Sequence, residues 1–262
     1  MTTEKALVVT PWHNFRQLDR FLSAWHVDDR CPLLVLQNDA DEEGCAVTKN
    51  KGIEEAVMRG AETVVILDDD CFPTEATPDL SSLIKAHQLA LEPQRVEMFE
   101  QVTEPASRGT PYSETTMEMP VAASIGFWTE IGDYCAVRQL AYAGKQMQFV
   151  RKAIFGRYFP LCGMNIAFKP AVWGRWCEFI DVARFDDIWM GWLWQRFAYQ
   201  HRYCFNLRGP IARHSRQSNV WKNLEDEARY LKENETLWRE IAESKHDDYE
   251  SLIRLLPEET RT

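Results

Sequence analysis

Short apolar runs alternate with amphipathic stretches over the first part of the chain. Ala6 to Thr10, A-L-V-V-T, is an apolar, β-prone run closed by Pro11. Phe15, Leu18, Leu22 and Trp25 then recur at helical spacing, in a helix that Asn14 can cap. Pro32 to Gln37 reads as a second strand. Ile53, Ala56 and Val57 give the next helix its buried face, and Gly60 supplies its stop. The run T-V-V-I-L from Thr63 is a buried strand that ends in three carboxylates. Strand, helix, strand, helix, strand predicts an α/β fold whose central sheet is mostly parallel, with right-handed crossovers and flanking helices.

Further along, Thr77-Pro78 predicts a helix start, with proline at the first helical position. From about Glu92 to Met119 the pattern fades into Pro, Ser, Thr and Glu, as in a long loop, and Pro120 to Trp128 resumes as a strand. After the apolar stretch Tyr158 to Phe168, the positions Trp173, Trp176 and Ile180 predict a helix. Another, strongly apolar, opens at Arg184-Phe185-Asp186-Asp187-Ile188-Trp189. A charged amphipathic helix is expected over about 222–245, and Pro257 to Thr262 reads as a frayed end. One domain over 1–262 is expected.

Composition narrows the class. The 262 residues are 45% hydrophobic and 27% charged, as in an ordinary globular protein, and ten tryptophans imply either a large aromatic core or sugar-stacking surfaces. No stretch approaches the roughly 20 apolar residues of a membrane span, and the N-terminus lacks the basic and apolar regions of a signal peptide, so a cytoplasmic protein is expected. Seven scattered cysteines without a C-x-x-C pair argue for reduced thiols rather than a zinc site or a disulfide framework. A formal charge of −10 disfavours broad binding to nucleic acid, while leaving room for a local basic groove.

Candidate chemistry gathers at a few points. Asp68, Asp69 and Asp70 sit where the third strand leaves the sheet, the edge at which open α/β sheets bind ligands. Residues i and i+2 of an extended segment share a side, so Asp68 and Asp70 can converge on a hard divalent cation, Mn²⁺ or Mg²⁺; the alternative is a solvated acidic turn. Asp39, in N-D-A-D after the second strand, either grips a base or ribose or belongs to a plain turn. Asp186 and Asp187 open an apolar helix. One suffices as a cap, and the other carboxylate can bind a sugar hydroxyl or act as a base. Arg208, Arg213, His214 and Arg216 concentrate positive charge, suited to a pyrophosphate or to a solvated loop. Neither G-x-G-x-x-G nor a P-loop occurs.

Taken together these stretches resemble the reversibly glycosylated polypeptide, or UDP-arabinopyranose mutase, family of GT-A-type folds. Asp68-Asp69-Asp70-Cys71-Phe72 is similar to its D-D-D-C-F, Phe159 to Asn165 (F-P-L-C-G-M-N) to its F-P-M-C-G-M-N, and Arg184 to Trp189 (R-F-D-D-I-W) to its R-Y-D-D-M-W. His214-Ser215 with Ser218-Asn219 resembles H-S-K-A-S-N. Arg108 lies in R-G-T-P-Y-S, which resembles the family's glycosylated R-G-Y-P-F-S. A second family arginine just beyond has no counterpart, Glu114 and Thr115 standing there.

The resemblance implies a GT-A-like (Rossmann-like) nucleotide-sugar-binding fold and a metal-dependent glycosyltransferase with a UDP-sugar donor. The alternatives it carries are a UDP-sugar mutase that glycosylates itself at Arg108, and a non-catalytic nucleotide-sugar-binding subunit. Under the first two, Asp68, Asp70 and His214 would hold Mn²⁺ or Mg²⁺. Asp39, Asp69, Arg213 and Arg216 would bind the nucleotide, and Asp186, Asp187 and Arg108 would carry the chemistry. The acceptor stays open between a glycan, a protein and a modified nucleic-acid base, and so does assembly into homo- or hetero-oligomers.

Overall fold

The structure is a computed structural model and describes residues 5–28, 30–38, 45–99, 108, 115–142, 145, 147–215 and 219–260. Twelve strands are described: β1 (Ala6–Trp12), β2 (Leu33–Gln37), β3 (Thr63–Leu67), β4 (Cys71–Phe72), β5 (Gln94–Glu97), β6 (Thr116–Met119), β7 (Val121–Ile125), β8 (Phe127–Glu130), β9 (Ala153–Ile154), β10 (Asn165–Phe168), β11 (Cys204–Asn206) and β12 (Ile211–His214). The helices are α1 (Phe15–Ala24), α2 (Cys45–Met58), α3 (Leu80–Ala90), α4 (Ala136–Ala141), α5 (Pro170–Trp173), α6 (Asp186–Gln200), α7 (Val220–Ala228), α8 (Leu231–Glu243) and α9 (Tyr249–Ile253). None is long and apolar enough to cross a membrane.

The central sheet has seven strands in the order β2-β1-β3-β10-β7-β11-β9. It is the expected α/β arrangement. β2, β1 and β3 are parallel, β11 is parallel to β7, and β10 and β9 enter antiparallel. All of β3 is buried, and its side chains divide between two cores: Val64 and Ile66 join one, Val65 and Leu67 the other. A second sheet, β4-β12-β8, pairs Cys71 with His214 and His214 with Glu130. That pairing brings a histidine from late in the chain beside the aspartates.

Local chemistry accounts for several boundaries. Asn14 caps α1, its Oδ1 accepting the N–H groups of Arg16 and Gln17 at 2.9 and 3.2 Å. β1 continues through Pro11 to Trp12, further than expected, because beyond Val9–Ile66 it pairs only with β2, where Trp12 still faces Gln37. The helix expected at Thr77-Pro78 starts later. Asp79 and Ser82 form a capping box, while the Thr77 hydroxyl is held by Thr74 and the Ile211 carbonyl.

Within the stretch expected to be a loop, β5 and β6 pair antiparallel, and residues 100–107 and 109–114 lie outside the described residues. The single strand expected over Pro120 to Trp128 breaks at Gly126, where β7 stays in the central sheet and β8 joins the second. A Cβ on Gly126 would stand 2.3 Å from Asn165 Nδ2 and 2.5 Å from the Pro210 carbonyl oxygen. The Trp173–Ile180 stretch gives one turn of α5 and a 3₁₀ turn at Gly174–Trp176. The C-terminal amphipathic run is two helices, α7 and α8, parted where Tyr230 buries its ring 5.6 Å from that of Trp189. Beyond Pro257 the chain forms a 3₁₀ turn, Glu258–Thr260, in which Thr260 is buried.

The tryptophans mostly build core. Trp25, Trp173, Trp189 and Trp194 are fully buried, and Trp173 stacks on Trp194 with ring centroids 4.0 Å apart. All seven cysteines are free thiols.

Candidate active site

The carboxyl ends of β1, β2 and β3 open onto one cleft of about 280 Å³. Pro11, Trp12 and His13 come from the end of β1, Asn38 from the end of β2, and Asp68, Asp69 and Asp70 from the end of β3. Three parallel strands in register deliver these side chains to one edge, the place where doubly wound sheets bind ligands. Backbone contacts fix the triad. The Asp68 N–H donates to the Met164 carbonyl at 3.0 Å, the Cys71 N–H to the Asp68 carbonyl at 3.0 Å, and the Ser215 N–H to the Asp70 carbonyl at 3.2 Å. Gln17, on α1, donates its Nε2 to the Asp69 carbonyl at 2.9 Å, and the Trp25 indole donates to the Cys71 carbonyl at 2.8 Å.

His214 joins the triad from the second sheet. Its Nδ1 lies 2.9 Å from the Ile131 carbonyl oxygen and its Nε2 lies 3.5 Å from Asp70 Oδ2. Burial disfavours the imidazolium, but the hydrogen bond and charge of Asp70 outweigh it, so the pKa of His214 is raised. Among the described residues no group of three or more His, Cys, Asp or Glu is gathered as a metal cage.

The largest feature absent from the sequence reading is Lys49. It belongs to the inward face of α2, one turn before Ile53, and is only 3% exposed. Its Nζ lies 3.3 Å from Asp68 Oδ1 and 5.1 Å from the centre of the Phe179 ring. Burial alone would lower its pKa. The negative charge of Asp68, with smaller contributions from Asp186 and Asp187, holds it well above the ordinary lysine value. The close approach of α2 depends on Gly52, where a Cβ would stand 2.3 Å from Val9 Cγ1. Asn50 fixes the other side by exchanging two hydrogen bonds, 2.9 and 2.7 Å, with the backbone of Phe179. The available signal was positional: Lys49, Ile53 and Ala56 share one helical face.

Asp186 and Asp187 begin α6 without serving as its N-cap, which is Phe185. Both are half-buried. Asp187 Oδ2 accepts the Gly163 N–H at 2.6 Å, whereas the first backbone N–H groups of α6 favour the ionised form of Asp186, so the two carboxylates have different surroundings. Gly163 is required by space, since a Cβ there would stand 2.9 Å from both Asp187 Cβ and Phe179 Cε1. Gly191 similarly lets α6 approach Leu161. Burial, opposed by Lys49, raises the pKa of Asp186. Burial and the neighbouring Asp186 push that of Asp187 up to about 8. Nearby Cys45 and Cys162 are poor nucleophiles, because burial pushes the Cys45 thiol up to about 12 and the Cys162 thiol well above its ordinary value.

Other sequence-predicted residues fall elsewhere. Arg213 is exposed, with its guanidinium 3.7 Å from Glu130 and 5.4 Å from the centre of the Phe72 ring; it alternates with His214 along β12 and so faces the other side. Arg108 is exposed, and the residues on both sides of it are outside the described set, as are Asp39 and Arg216. What the structure joins is Asp68, Asp69 and Asp70 with His214 on one side, and with Lys49, Asp186 and Asp187 on the other.

Comparison with known proteins gives these features a family. The chain is 30% identical over 181 residues to the probable UDP-arabinopyranose mutase 1 of Pisum sativum, covering 63% of this chain and 50% of the relative. It is 28% identical over 197 residues to UDP-arabinopyranose mutase 3 of Arabidopsis thaliana, covering 68% and 53%. The chain thus spans about half the length of the curated relatives it matches. Among solved structures, a glycosyltransferase involved in the glycosylation of the major capsid of PBCV-1 superposes on 87% of this chain and 99% of its own, at a TM-score of 0.34 and 8% identity, too loosely to support an argument. The sequence profile described as reversibly glycosylated polypeptide matches residues 55–242, from α2 through α6 to α8, and the chain belongs to that family.

Proposed function

We propose that this chain is an enzyme acting on a UDP-sugar, and that its central act is to break the bond between the sugar and the diphosphate. The observation that carries this reading is the set of β3 aspartates lining a sheet-edge cleft, with Asp68 paired to a buried Lys49 that also feels the charges of Asp186 and Asp187. The names of the relatives support the choice of a UDP-sugar.

As the anomeric C–O bond breaks, its electron pair leaves with UDP and positive charge develops on the sugar. An Asp186–Asp187 pair that shares protons near neutral pH can steer that charge through its ionised member and hydrogen-bond a sugar hydroxyl through its protonated one. Lys49 holds Asp68 in place and limits the repulsion among the carboxylates. The donor set fits a divalent ion held jointly with the substrate: Asp70 and His214 lie side by side with Asp68 adjacent, and Mg²⁺-type sites commonly use one or two carboxylates plus phosphate oxygens. When bound there, Mn²⁺ or Mg²⁺ would supply Lewis-acid stabilisation of the departing diphosphate.

Where the sugar goes next separates two readings. A glycosyltransferase passes it to a glycan, protein or other acceptor. A mutase returns it to UDP in the other ring form, with Arg108 as the residue that would hold it, and the relatives' names favour this second reading. The deciding experiment incubates the chain with a panel of UDP-sugars, UDP-arabinose included, and Mn²⁺, and follows released UDP, sugar ring form and protein mass together. Altered ring form with one pentose added at Arg108 selects the mutase; net UDP release with unmodified protein selects the transferase. No turnover of any donor overturns the enzymatic reading.

A further inference from the structure

The lining of the cleft includes a residue from far along the chain. Lys222, three residues after the N-cap Asn219 of α7, lines the same cleft as Asn38 and the β3 aspartates. Its side chain is exposed, and among the described residues its ammonium makes no ion pair or hydrogen bond. The start of its helix is capped by Asn219, whose Oδ1 accepts the backbone N–H groups of Trp221 and Lys222.

The helix that carries it is anchored. Glu227, at the far end of α7, is 1% exposed; its Oε1 accepts Arg184 Nε at 2.7 Å and its Oε2 accepts the Ala136 N–H at 2.7 Å. Arg184 adopts a left-handed backbone conformation, φ 60°, two residues before Asp186. One buried carboxylate therefore fixes the helix bearing Lys222 to the segment that presents the α6 aspartates.

The charge balance of the cleft says what Lys222 can meet. A nucleoside diphosphate entering beside Asp68, Asp69 and Asp70 brings negative charge to a negative wall. Lys49 lies beneath that wall with its ammonium engaged by Asp68. An exposed ammonium in the lining of the same cleft, on an anchored helix, is suited to offset this repulsion at the phosphates rather than at the base or sugar.

We propose that Lys222 is a donor-binding residue that holds the diphosphate of the nucleotide sugar in the cleft it lines together with the β3 aspartates. The proposal rests on the UDP-sugar reading above. Losing one charge-assisted hydrogen bond to phosphate should weaken binding by about tenfold to a hundredfold.

The test is calorimetric titration of the full chain with UDP and with uridine, at fixed Mn²⁺, for the parent protein, Lys222→Ala and Lys222→Arg. The expected result is a Kd for UDP raised about tenfold or more in Lys222→Ala, a Kd for uridine unchanged within about twofold, and substantial recovery of UDP affinity in Lys222→Arg. In turnover with a UDP-sugar, KM should rise more than kcat falls. Unchanged UDP affinity in Lys222→Ala, or equal weakening of UDP and uridine, overturns the role of Lys222 while leaving the cleft assignment standing. Failure of the parent protein to bind UDP at all overturns the cleft assignment, and this proposal with it.

Discussion

Replacing Lys49 by methionine keeps the length and apolar stem of the side chain but deletes its charge. In the native protein that charge lies 3.3 Å from Asp68 Oδ1, over the Phe179 ring, and within electrostatic reach of Asp186 and Asp187. Removing one partner of a buried ion pair typically costs about 3–5 kcal/mol, and loss of the cation–π contact adds about 0.5–1 kcal/mol. Asp68 is partly open to solvent, with side-chain exposure of 26%, so the lower part of that range, about 3 kcal/mol, is expected.

The sign with pH follows from which groups titrate. The folded pKa of Lys49 is raised, so its own stabilisation is complete below the ordinary lysine value and is lost only at high pH. Between pH 4 and 8 it therefore contributes no slope. The Asp186–Asp187 pair does, because without Lys49 each carboxylate becomes costlier to ionise, so the deficit of Lys49→Met should shrink as pH falls and they protonate. Urea unfolding followed by tryptophan fluorescence at pH 5, 6.5 and 8 measures this, with Asp68→Asn and the double variant completing a thermodynamic cycle. A deficit below about 1 kcal/mol at pH 8, the level of an exposed pair, or a coupling energy near zero, refutes the reasoning.

Asp187→Asn should preserve an acceptor for the Gly163 N–H while removing a costly charge. Because the folded pKa of Asp187 is raised from 3.8 to about 8, the native state holds the extra proton in that window and stability falls as pH rises; the variant should be more stable than the parent at pH 8, converge with it near pH 4, and lose about a hundredfold or more in turnover, and lower stability at pH 8 would contradict this. Gly163→Ala places a methyl 2.9 Å from Asp187 Cβ and Phe179 Cε1, so it should cost about 1–3 kcal/mol by overpacking and depress kcat, whereas unchanged kcat would mean that the Asp187–Gly163 contact does not set activity. His87 is buried between Ser124 and Asn165, both at 2.9 Å, and burial pushes its pKa down to about 4. Its neutral form gives stability that is complete above about pH 6.5 and lost toward pH 4 at about 1.4 kcal/mol per pH unit, and His87→Gln should flatten that acid slope in the same urea series.

Legibility in the sequence depended on whether the controlling interaction was local. The β3 run and its aspartates could be read because five buried β-prone residues stop abruptly in charge, and Asn14 because a cap acts within three residues. Thr77 and Asp79 are both credible caps. Asp79 prevails through its reciprocal bonds with Ser82, while Thr77 is drawn to Ile211, 134 residues away in sequence. The break at Gly126 leaves no mark in an unbroken apolar run, because it is set by close contact with Asn165 on β10 and Pro210 just before β12.

Lys49 was hidden for a similar reason. A lysine on a helix ordinarily faces water, and only the carboxylates of β3 and α6, brought together by the sheet, make its burial tolerable. Asp186 and Asp187 stood out as a surplus of charge before an apolar helix, but their division between helix start and Gly163 requires the tertiary contact. Lys222 sits in a helix that reads as plain packing, and nothing local says that its N-terminus returns to the first three strands.

The most direct test is a crystal structure of the chain grown with UDP and Mn²⁺. The diphosphate is predicted at the carboxyl end of β3, beside Asp70 and His214 and within hydrogen-bond reach of Lys222, with the nucleoside extending toward Trp12 and Asn38. UDP bound at another surface, with the cleft of Asp68, Asp69 and Asp70 empty of it, would contradict the account.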